Sequence, residues 1–89
     1  MACEKVTYDS INDDTMRALR VVMKAKDLPL PDGDEGDLRS ESFNVTAHFK
    51  HDRETQTLEV TVTDKPFFIP CSIIDNKIKD AVTEARQKV

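Results

Sequence analysis

The sequence predicts a small α+β domain. It is a two-layer sandwich in which an antiparallel sheet, built on a hairpin over 43–63 with a candidate short third strand, is covered on one face by two helices. Three observations carry this reading. "SFNVTAHFK" and "TLEVTVTD" each alternate apolar and polar residues, the signature of a strand with one buried face. "HDRETQ" between them is short and polar enough to be a hairpin connection. On either side of this pair lies a stretch with apolar residues at helical spacing.

The elements follow in chain order. "KVTY" is a candidate short strand, with Val6 and Tyr8 facing the same way. The first helix is expected over about 11–26. Ser10 or Asn12 is its N-cap, and Asp13 and Asp14 lie in the first turn, where the dipole favours negative charge. Met16, Leu19, Val22 and Met23 form the buried stripe, with Arg17, Arg20 and Lys24 on the opposite side. Pro29 ends the helix before Leu28. The segment 32–37, "DGDEGD", holds both glycines of the chain and four acids and is read as an acidic surface loop.

The hairpin spans 42–64. Phe43, Val45, Ala47, Phe49, Leu58, Val60 and Val62 point inward, and His48, Lys50, Glu59 and the threonines point outward. "KPFFIP", 65–70, is the candidate third strand. The second helix is expected over about 73–87, with Ser72 and Asp75 as a capping box and Ile74, Ile78, Ala81, Val82 and Ala85 as its buried stripe.

At 89 residues the chain is read as one domain, 1–89. An apolar share of 38% against 34% charged is polar for a globular protein but lies outside the disordered class. The net charge is −4, and its acidity is concentrated: 27–41 carry six acids against one base. No basic face suggests nucleic-acid binding. The element order resembles the double-stranded-RNA-binding layout in topology alone, and the last helix, "SIIDNKIKD", lacks the lysine-rich start of such domains. No apolar run is long enough to span a bilayer and no signal peptide is visible, so a cytoplasmic location is expected, with Cys3 and Cys71 reduced.

Four candidate sites emerge. Cys71 precedes a helix N-terminus, a position that lowers a thiol pKa, and His48 could serve as its base. Its neighbours Phe68, Ile69, Ile73 and Ile74 are apolar, and this favours a thiol at the edge of the core. His48 and His51 with Asp52 and Glu54 have the composition of a metal cluster, but residues three apart on a strand face opposite sides; His48 is read as outward and His51 as part of the turn. Asp32, Asp34 and Asp37 are spaced oxygens that could hold a divalent cation weakly, without the bidentate glutamate of a calcium loop.

The fourth candidate is Phe67 and Phe68 between Pro66 and Pro70. Adjacent residues of an extended chain face opposite sides, so Phe68 is expected in the core and Phe67 partly exposed as a contact patch. The function expected is a non-enzymatic protein-interaction module, bound to a partner protein or to itself as a homodimer. It has no cofactor, nucleic-acid or membrane partner. A thiol or redox role for Cys71 and a weak metal role for the acidic loop are the alternatives.

Overall fold

The computed structural model describes residues 3–88. Among them the chain forms β1 (Val6–Tyr8), α1 (Asp13–Ala25), β2 (Glu35–Ser40), β3 (Val45–Asp52), β4 (Thr57–Asp64) and α2 (Cys71–Gln87). The strands make one antiparallel sheet in the order β1-β4-β3-β2. Because β1 and β2 are the two edges, α1 carries the chain from one edge of the sheet to the other.

The alternation read from the sequence is the one observed. Val45, Ala47 and Phe49 on β3 and Leu58, Val60 and Val62 on β4 are buried, as are the expected stripes of α1 and α2. Both helices therefore cover one face of the sheet, and the other face is open to solvent. One register shift interrupts the central pair, between Thr46 and Ala47, where Thr46 faces Asp64 but Ala47 faces Val62. Thr63 is the extra residue, and its hydroxyl donates to the Thr46 carbonyl at 3.3 Å.

Four boundaries differ from expectation. The acidic segment is loop only over 32–34, because 35–40 pair with β3 as the edge strand β2. Residues 65–70 are not a strand; they form a turn closed by the Ile69 amide donating to the Pro66 carbonyl at 3.2 Å. Phe43 sits in the β2–β3 turn, half-buried, rather than on a strand. Finally, α2 begins at Cys71 with Pro70 as N-cap, so Ser72 is already helical and makes no capping box with Asp75. Proline suits this place because it has no amide hydrogen to satisfy.

The start of α1 is capped as the sequence suggests. The Asn12 side chain accepts from the Thr15 amide at 2.8 Å. Its end is a Schellman motif. Asp27 takes the left-handed conformation (φ 61°), its amide donates to the Lys24 carbonyl, and the Leu28 amide donates to the Met23 carbonyl at 2.9 Å. Leu28 and Met23, both buried, make the apolar contact of that motif. Glycine usually holds this position. Here the Asp27 carboxylate accepts from the Ser42 amide at 3.0 Å and so ties the end of α1 to the β2–β3 turn.

The largest departure is covalent. Cys3 and Cys71 form a disulfide, where two free thiols were expected. Cys3 is buried and its amide donates to the Val62 carbonyl at 2.9 Å, continuing the β1 edge along β4. A sequence separation of 68 residues makes this a large covalent loop. Closing a loop of that size restricts the unfolded chain by about 4 kcal/mol on the entropy account.

Candidate functional site: an exposed aromatic turn

The turn between β4 and α2 presents two phenylalanines to solvent. Phe67 is 82% exposed and Phe68 71%. Their rings meet edge to face, 5.8 Å between centroids at an interplanar angle of 84°. The expectation that Phe68 enters the core is therefore corrected. In the turn, unlike in a strand, the two side chains need not diverge, and both leave the surface. Ile69 takes the inward place instead, packed against the core.

The turn is held at both ends. Before it, Lys65 is buried and its ammonium donates to the Pro66 carbonyl at 3.4 Å. After it, Pro70 caps α2 and Cys71 is bonded to Cys3. Two aromatic rings are thus displayed on a short segment with little backbone freedom. Ile73, in the first turn of α2, is 47% exposed and extends the apolar surface.

Beside Phe68 lies a groove of about 400 Å³, walled by Phe43, Pro66, Phe68 and Ile69 with Asn44 and Asp64 at its polar side. The Lys77 ammonium lies 4.7 Å from the centre of the Phe43 ring, a cation–π contact.

The other candidate residues are not brought together. Cys71 belongs to the helix layer and its sulfur is in the disulfide, whereas His48 projects from the open face of the sheet, so the two do not form a thiol–imidazole pair. His48 faces acids instead: Nδ1 is 2.8 Å from Asp37 and Nε2 is 2.9 Å from Glu35. These contacts hold its imidazolium above the ordinary histidine range, Asp37 contributing most.

Asp32, Asp34 and Asp37 do not converge. Asp34 pairs with Arg53 at 3.0 Å and Asp37 with His48. Among the described residues no group of three or more histidine, cysteine or acidic side chains is arranged to hold a metal ion.

His51 is the residue whose place the sequence reading missed. It lies on β3 rather than in the turn, with its side chain buried, and its Nε2–H donates to the Ile11 carbonyl at 2.6 Å. Its backbone amide donates to the Asp34 carbonyl at 2.6 Å. A small cavity of about 200 Å³ adjoins it, lined by Asp13, Arg17, Arg20, Asp34 and Arg53. Arg53 pairs there with Asp34 and Asp13, Arg17 with Asp14, and Arg20 donates to the Gly33 carbonyl. Of the basic stripe read from the sequence, Arg20 joins α1 to the loop at Gly33, whereas Arg17 pairs with Asp14 within the helix itself.

No protein-family profile, curated protein or solved structure matches the chain. Among the described residues no helix is long and apolar enough to cross a membrane.

Proposed function

We propose that this domain is a non-enzymatic protein-interaction module whose contact element is the Phe67–Phe68 turn. One observation carries the reading: two adjacent phenylalanines remain in water although the same fold buries Phe49 completely. Together they expose about 300 Å² of aromatic surface. Removing that surface from water on contact is favourable in proportion to its area.

The partner we infer is a different protein with a concave apolar pocket. A standard interface needs about 800 Å² from each partner. The aromatic pair supplies less than half of this, and it projects from the surface rather than lying flat. Two such projections meet poorly about a two-fold axis, so a receiving pocket is the better complement. The groove beside Phe68 gives a partner chain a second place to seat. Self-association through the same patch is the competing outcome.

The cytoplasmic location expected from the sequence implied two free thiols, and the disulfide departs from that implication.

The test is site-specific photo-crosslinking in extracts of cells that make the protein, with the photoreactive side chain at position 67 and, as control, at Val21, which is exposed on α1. The reading expects a discrete adduct from position 67 alone, competed by excess wild-type protein but not by the Phe67→Ala/Phe68→Ala variant. An adduct with a second copy would replace the pocket-bearing partner by a homodimer. Equal labelling from both positions would overturn the contact element.

A further inference from the structure

We propose that His48, Glu35 and Asp37 form a pH-sensitive clasp that fastens the first half of the edge strand β2 to β3 while the imidazole holds two protons, and that loses its bond to Glu35 when one proton leaves. The inference does not depend on the Phe67–Phe68 reading; it concerns the opposite, open face of the sheet.

The geometry dictates the chemistry. His48 lies directly across from Asp37 in the β2–β3 register, and Glu35 is two residues before Asp37 on the same face. Each ring nitrogen has one carboxylate oxygen within hydrogen-bond distance, at 2.8 Å and 2.9 Å. An ionised carboxylate only accepts, so both nitrogens must donate, and only the imidazolium has two N–H groups. The neutral ring would turn a lone pair toward one of the acids.

Glu35 is the acid that is released. Its register partner across the ladder is Lys50, which offers it a second cation, whereas Asp37 stays opposite His48. The neutral ring therefore keeps its proton on Nδ1. The remaining groups on this face do not replace the clasp. Arg39, further along β2, donates to Asn44 and Thr46. Thr61 faces His48 from β4, and Glu59 pairs with Lys5. Both helices lie against the other face.

The consequence falls on β2 because it is a sheet edge, held by β3 on one side only. Glu35 is its first residue, directly after the loop that turns at Gly33 with φ 97°. Releasing Glu35 loosens the start of the strand, which is then held by Lys50 across the ladder and by the His51 amide donating to the Asp34 carbonyl, while Leu38 and Ser40 remain buried and hold its far end. The clasp is closed below the titration of His48 and opens as the pH rises through it.

The experiment is an NMR titration of the intact, disulfide-bonded protein from about pH 5 to about pH 9, the interval in which histidine changes charge. It reads the His48 ring nitrogens and the amide protection of Gly36, whose position in the ladder turns its N–H toward β3 whereas those of Glu35 and Asp37 face solvent, corrected for intrinsic exchange. The expected result is a His48 midpoint above the ordinary value of about 6.5, an Nδ1-protonated neutral ring, and protection at Gly36 falling about 2–5-fold across the same midpoint. Glu35→Gln should lower the midpoint, and His48→Gln should remove the step. A midpoint at or below the ordinary value, flat protection, or a step that persists in His48→Gln would overturn the clasp. Residue-specific ring signals keep His48 distinct from the buried His51.

Discussion

His48 and His51 stand three residues apart on one strand, and the pleat sends them to opposite fates. His48 reaches out to two carboxylates, whereas His51 turns into the core and donates to the Ile11 carbonyl just before α1. The parity argument placed the two histidines on opposite faces of the strand, and that is where they lie. The sequence placed His51 in a turn because polar residues follow it, and the alternation of "SFNVTAHFK" stops one residue short of it. The carbonyl of Ile11 at Nε2 and the Asp34 carboxylate 4.0 Å from Nδ1, both distant in sequence, make burial of this ring favourable, and no local pattern shows that. His51→Leu removes the donor and leaves the buried carbonyl unsatisfied. It should cost about 1–3 kcal/mol, measured as the urea midpoint with the unfolding slope unchanged.

At the scale of elements, legibility followed the strength of the period. The two central strands and both helices were readable because each carries several apolar residues at one spacing. β2 was not, because its inward positions are Gly36, Leu38 and Ser40, a single large apolar residue between two small ones. Glycine and aspartate are also poor strand formers. The strand exists because β3 offers it an edge, and that is a tertiary cause. The end of α1 was readable as a stop, but not as a tie. Asp27 adopts a backbone conformation that favours glycine, and its carboxylate bonds the Ser42 amide. The Ser42 hydroxyl first and its amide second hold the Asp27 carboxyl below the usual carboxylate range, so the stabilisation these contacts give is present above the unfolded pKa and is lost as the pH falls through the folded one. Two variants separate the contributions. Asp27→Gly loses the bond but keeps the conformation at ease; Asp27→Ala loses the bond and strains the turn. Thermal unfolding at neutral pH should rank Asp27→Ala below Asp27→Gly. Equal midpoints would show that the conformation, and hence the Schellman end, contributes nothing.

Over the whole molecule, a two-layer sandwich of this size has a small core, and the Cys3–Cys71 disulfide adds what packing alone supplies sparingly. The pairing was not readable, since two cysteines at opposite ends of a chain carry no spacing signal. Their meeting follows from β1 lying beside β4, which delivers Cys3 next to the start of α2. Cys3→Ser should lower stability by about 2–4 kcal/mol, and reduction of the wild-type protein should match it in a denaturant titration. If neither changes the midpoint, the bridge is not a determinant of the fold. The aromatic turn was half legible. Its composition marked Phe67 as exposed, but the strand geometry assumed for it assigned Phe68 to the core.

The central claim is that both phenylalanines are held outside the fold for a partner, and the urea midpoint of the isolated Phe67→Ala/Phe68→Ala variant tests it most directly. With side chains this exposed, the double variant should unfold within about 0.5 kcal/mol per substitution of the wild type, as ordinary surface changes do. A loss of about 3 kcal/mol or more, the cost of truncating one buried phenylalanine, would place at least one of the rings in the core and contradict the account.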